Sequence, residues 1–271
     1  KEADSVLKQH EKKEKTAAYK TGVIIAGLLL IPILITFIVC LSNGGGLNTF
    51  AVVTASMLLV AAMTVVPLMA QQKKLTKCII CGVFALLLIF FFVDRMYSSN
   101  EFMLWSVPTI FGLSIILFPF VIRGIELPPA LSDKKALITM LWDTLWLFLT
   151  IIEVCGHTND VAGMKAGCII AFVFVLAAWL IFFDARYLNA NGFIKSAIIV
   201  LIASFWTAFA DICEFLIFGT RQITIKSVNF SDWTSNICVN ANVYAIVLVS
   251  GVIIASILFV AGGIKAFANK K

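Results

Sequence analysis

Five ionisable side chains within the apolar runs of this 271-residue chain are the candidates for chemistry: Asp143, Glu153, Lys165, Asp211 and Glu214. An ionised group at the centre of a bilayer costs about 2.5–3.5 kcal/mol on insertion scales, so each is expected to face a bundle interior, a partner or water. Asp211 and Glu214 are one helical turn apart and share a face. Glu153 and His157 stand at i and i+4, with Asp160 just beyond, and add oxygen and nitrogen donors. If the helices that carry them are neighbours, Glu153, Lys165, Asp211 and Glu214 lie at one depth near the outer surface. Asp143 falls slightly inside the midplane, flanked by Trp142 and Trp146 at i, i+4, a pair that reads first as packing and second as a pocket wall. Three roles are open to the cluster, in this order of preference: helix-packing glue with Lys165 paired to an acid, a site for a small molecule or cation from the outer face, or an ion or proton pathway.

Catalysis finds no footing. No G-x-S-x-G, no phosphate-binding G-x-x-x-x-G-K-[ST] and no His/Ser/Asp constellation occurs, and His10 and His157 both fall outside the apolar runs. Asp143 and Asp211 are at different depths, which argues against an intramembrane aspartate dyad. Zinc would require an H-E-x-x-H or paired cysteines in polar settings, so neither a metal nor another cofactor is expected. Cys78 and Cys81 form a C-x-x-C, but both residues between them are isoleucine, which reads as apolar packing. Cys40, Cys155 and Cys238 all lie near the outer face, where one disulfide between two of them is allowed.

The elements that must position these groups are apolar runs at about 22–42, 47–70, 78–97, 102–122, 136–155, 162–183, 194–218 and 238–263. Each approaches the roughly 20 residues an α-helix needs to cross about 30 Å of hydrocarbon. With 61% hydrophobic and 13% charged residues and a mean hydropathy of +1.01, the composition excludes an ordinary soluble domain. The cations alternate between the gaps. Six lysines precede the first run; Lys73, Lys74 and Lys77, then Arg123, Lys134 and Lys135, then Arg186 and Lys195, and finally Lys265, Lys270 and Lys271 fall on the same side. Only Arg95, Lys165, Arg221 and Lys226 are left for the other face, so the positive-inside rule places both ends in the cytoplasm. The net charge of +6 therefore reads as topology and not as a nucleic-acid footprint. The expected fold is an all-α polytopic bundle of about eight transmembrane helices, N-in and C-in, in a bacterial plasma membrane.

Residues 1–20 are a charged helical linker, 21–264 the eight-helix membrane domain and 265–271 a short basic cytoplasmic tail. The linker pairs Glu11 with Lys15 at i, i+4 and is too polar to fold alone. It starts without methionine, which points to sequence upstream. The first run is longer than a signal core and lacks a small-x-small cleavage site, so it is expected to be retained as an anchor. Residues 50–69 and 102–122 align at an offset of 52, bringing Thr54 onto Ser106, Leu58 onto Ile110 and Pro67 onto Pro119. Such two-helix hairpins would be parallel repeats. Loops are short. The longest, 219–237, contains the alternating stretch 222–228, which predicts a short hairpin or a segment lying on the membrane surface. Aromatics such as Phe90, Phe91, Phe92, Trp105, Trp233 and Tyr244 are interface anchors.

Phe118-Pro119-Phe120-Val121, Leu127-Pro128-Pro129-Ala130-Leu131-Ser132, Lys134-Lys135-Ala136-Leu137 and Leu141-Trp142-Asp143-Thr144-Leu145-Trp146, with the turn Gly44-Gly45-Gly46-Leu47-Asn48-Thr49-Phe50, resemble the multi-span carboxy-terminal region of membrane-tethered XRE-type helix-turn-helix regulators of Firmicutes. The likeness is clearest over residues 44–155. It implies a membrane half that relays a small-molecule or membrane signal to a cytoplasmic DNA-binding domain upstream. No helix-turn-helix pattern lies in this chain, so direct nucleic-acid binding is not expected of it. The alternative is a small transporter or permease subunit, for which Pro32 and Pro108 are the candidate helix breakers. The bilayer is the one certain partner; a homo-oligomer is also open.

Overall fold

The protein is described by a computed structural model that covers residues 2–43, 46–219 and 227–268, with side chains from residue 13 onward except at 210. Most of the expected stretch 222–228 lies outside the described residues. Nine α-helices occur among those described: α1 (Glu2–Ser42), α2 (Asn48–Met69), α3 (Lys74–Tyr97), α4 (Phe102–Gly124), α5 (Lys135–His157), α6 (Val161–Tyr187), α7 (Gly192–Trp206), α8 (Phe209–Phe218) and α9 (Asn236–Ala268). A 3-10 turn, Ser132–Lys134, leads into α5.

Seven of these helices are long and apolar enough to cross a membrane. Their side chains are arranged inside out relative to a soluble protein. The buried positions are largely small, as at Ala55, Ala62, Ala85, Ala197, Ala241 and Ala255, while Ile24, Ile116 and Val260 are each more than 60% exposed. Helices in lipid gain nothing by hiding leucine from hydrocarbon; close approach through small residues is what holds them together.

The chain divides into two compact units, residues 1–153 and 154–271. In the first, α1 packs on α2, α2 on α3 and α3 on α4. The polar linker and the first span are a single helix of 41 residues, about 60 Å long at 1.5 Å per residue. Pro32 does not break it, and Pro67, Pro108 and Pro119 likewise lie inside unbroken helices. The two prolines proposed as breakers therefore break nothing. α3 and α4 approach so closely at Gly124 that a methyl there would meet the Thr76 side chain.

In the second unit α7 packs on α9, and α6 on both α7 and α8. Gly251 of α9 touches the Ser204 side chain of α7, and Gly262 lies against Ile194 and Asn191. Asn191 caps α7 through Oδ1, which accepts the Ile194 N–H at 3.1 Å, and donates to the Gly262 carbonyl at 2.7 Å. The apolar run 194–218 is not one helix. It divides into α7 of 15 residues and α8 of 10, bent by 50°. Neither piece alone spans about 30 Å of hydrocarbon, so the pair is a broken span or a re-entrant segment. The break follows from local hydrogen bonding. The Thr207 N–H and hydroxyl both donate to the Ser204 carbonyl and the Ala208 N–H to that of Phe205, tightening the last turn, while the Trp206 indole N–H donates to the Val173 carbonyl of α6 at 2.9 Å.

Candidate functional site

Asp143 has a defined partner on a neighbouring helix. It lies on α5, half-buried, and accepts a hydrogen bond from the Ser114 hydroxyl of α4 at 3.1 Å. That hydroxyl has one proton and a second acceptor within reach, the Phe111 carbonyl at 2.9 Å. One residue earlier on α5, the Trp142 ring stacks on Phe118 of α4, with centroids 4.7 Å apart and planes 6° from parallel. Two turns before Trp142, the Lys135 ammonium donates to the Arg123 and Ile125 carbonyls at the end of α4, at 3.2 and 3.0 Å. α5 buries no residue fully, so these three contacts are its defined attachments to α4.

Around this joint the chemistry is otherwise apolar. A crevice of about 290 Å³ runs between α3, α4 and α5, with Ser114 and Trp142 in its wall. Trp142 and Trp146 pack at 5.6 Å, and their indole N–H groups are buried with no acceptor among the described residues. Buried donors without acceptors are costly.

The residues expected in an outer cluster are placed on α5, α6 and α8. Asp211 and Glu214 share one face of α8, on the far side of the break from α7, not the outer third of a continuous span. Asp211 faces a cavity of about 300 Å³ with Thr207, Asn240, Tyr244, Val243 and Val247. Lys165 is exposed in the first turn of α6, and among the described residues it forms no ion pair with either acid. Glu153 closes the first unit, half-buried, and His157 is the exposed last residue of α5. Asp160 is committed elsewhere, as the N-cap of α6 accepting the Gly163 N–H at 2.8 Å. Among the described residues no three His, Cys, Asp or Glu side chains converge as a metal site would require. All seven cysteines are free, Cys40, Cys155 and Cys238 among them.

Several polar residues that matter escaped sequence reading. Asn242 of α9 is fully buried and accepts the Asn229 N–H at 2.8 Å while donating to the Asn229 and Asp232 carbonyls at 2.7 and 3.1 Å. It fastens the loop before α9 to the helix. In that loop Asp232 accepts from the backbone and hydroxyl of Thr234 and from the Ser235 N–H, which hold its carboxyl down from 3.8 to about 2. Asp94 closes the α3–α4 turn by accepting from the Ser99 hydroxyl and the Glu101 N–H. Asp184 of α6 is buried, and neither of its carboxylate oxygens has a partner among the described residues. A short polar side chain within an apolar run was the only signal for Asn242.

No protein-family model, curated protein or solved structure matches the chain.

Proposed function

We propose that the chain is the signal-receiving membrane module of a two-part bacterial regulator, with both termini cytoplasmic, in which repacking of α5 on α4 is passed through α3 and α2 to α1. The observation that carries this reading is the unbroken helix α1, which joins a polar, charged segment rigidly to the bundle. A rigid rod transmits rotation or translation; a flexible tether would not. Neighbouring helices from α1 to α4 pack in sequence, so the coupling path is physically contiguous. The input is a small molecule or a membrane state that favours one packing, and the output is a population shift felt by a cytoplasmic partner, a helix-turn-helix domain upstream being the one the resemblance implies. The module performs no chemistry of its own.

The test is a chimera with a helix-turn-helix domain fused ahead of residue 1 and a reporter promoter under its control, challenged with membrane-active agents. A proline at Ala17 removes a helix hydrogen bond and clashes with the preceding turn, at about 3 kcal/mol. It is expected to abolish the response at an unchanged level of membrane-inserted protein. A response that survives the substitution refutes α1 as the output.

A transport role is favoured by a different observation, the break between α7 and α8 with Asp211 in the adjoining cavity. Broken helices beside a carboxylate are how many transporters build ion sites. Solute or cation flux in proteoliposomes that is lost in Asp211→Asn would establish this second reading.

A further inference from the structure

The crevice between α3, α4 and α5 has a wall chemistry and a mouth chemistry that belong to one kind of molecule. Its wall is hydrocarbon from Ile80, Phe84 and Leu87 of α3, Leu117 and Phe118 of α4 and Trp142 of α5. Its mouth is where α3 and α5 begin and α4 ends. Lys77 stands three residues before Ile80 and seven before Phe84, and Lys135 seven before Trp142, so both continue the lining faces outward by one or two turns. Lys77 is exposed, and Lys135 is held at the mouth by the terminal carbonyls of α4. Around them Lys73, Lys74, Arg123 and Lys134 face only Glu126 and Asp133 as acids along these chain segments. Glu126 is engaged by Lys73 at 2.6 Å, and that ammonium holds its carboxyl below the usual range.

We infer that this crevice is a binding site for one anionic phospholipid of the surrounding bilayer, an acyl chain lying along α3 and α4 and the phosphate held by Lys77 and Lys135. The depth is right for a lipid, since the helices begin and end where the headgroups of a bilayer lie. The charge selects among lipids, because Glu126 offsets only part of the positive charge of Lys73 and Lys135, and the choline of a zwitterionic headgroup cancels the attraction that its phosphate alone would feel. Trp142 places the occupant against the α4–α5 joint. The inference stands apart from the signalling proposal, since its test reads bound lipid and not transcriptional output.

The full chain, purified in a mild detergent and exposed to equal amounts of dioleoyl phosphatidylglycerol and dioleoyl phosphatidylcholine, is examined by native mass spectrometry. The anionic phosphatidylglycerol is expected to be retained in preference, and Lys77→Gln, at an exposed position, to lower the preference about five-fold, the effect of roughly one surface lysine. Lys135→Gln should act in the same direction. Val83→Trp, which fills the crevice, should remove adducts of both lipids. Lys165→Gln, on α6, should change nothing. Equal retention of the two lipids, or a preference unmoved in both lysine variants, overturns the site. A loss as large in Lys165→Gln as in Lys77→Gln overturns it too, by assigning the preference to diffuse charge.

Discussion

The Ser114–Asp143 contact is predicted to be a weak latch, and its strength follows from the geometry. A hydroxyl bonded to a carboxylate is worth about 1.5–3 kcal/mol in soluble proteins. Three features reduce that here. The separation of 3.1 Å is long for an O–H donor, and the same proton has the Phe111 carbonyl as a rival at 2.9 Å. Interhelical hydrogen bonds in a membrane protein average about 0.6 kcal/mol, with a maximum near 1.7, because an unfolded helix in lipid also finds partners. The coupling energy in a cycle of Ser114→Ala, Asp143→Leu and the double variant is therefore expected near 0.6 and no higher than about 1.7 kcal/mol. The assay is denaturation in mixed micelles followed by circular dichroism. Asp143→Leu alone should be neutral or stabilising, since it removes a group costing about 2.5–3.5 kcal/mol at mid-bilayer, and should bias the reporter chimera toward one output state. Adding about 0.5–1.5 kcal/mol for the Phe118–Trp142 stack keeps the two contacts within the membrane span, Lys135 at the helix start aside, to an amount that a bound ligand can overturn. A coupling indistinguishable from zero would show that the latch does not exist in lipid; one above about 3 kcal/mol would mean a locked joint, and α5 could not serve as the moving part.

Two further perturbations test the second unit. The Asp232 carboxyl is depressed in the folded loop, so its stabilising contribution is complete above the ordinary aspartate range and is lost as pH falls from about 4 toward 2; a fluorine-labelled Trp233 resonance should shift over that window, and Asp232→Asn should flatten the titration. A methyl at Gly251 would bring its Cβ within 2.6 Å of the Ser204 Cβ. Gly251→Ala should therefore destabilise the α7–α9 contact by about 1–3 kcal/mol in micelle denaturation, and Ser204→Gly should restore it; failure of that rescue would mean that the close approach is not the cause.

Hydropathy is a sum over consecutive residues, and the transfer of each to lipid is nearly independent of its neighbours' partners. That is why the seven long helices and the polar character of residues 13–20 were legible from residue order alone, whereas the unbroken path of the chain through Pro32 and Pro108 was not. Asp143 and Asp211 stand out in the sequence for the same reason, an acid in an apolar run being expensive wherever it points. Tertiary contacts decided the rest. Nothing in the run 194–218 marks a break, with no proline and only Gly192 ahead of it, because the interruption depends on Trp206 reaching a carbonyl of another helix. Ser114 looks like any small residue of a span until α5 is laid beside it, and Asn242 acquires its meaning from a loop it must hold. Whether an apolar segment enters lipid is settled by its own composition; which polar atom meets which is settled by how closely small residues let two backbones approach.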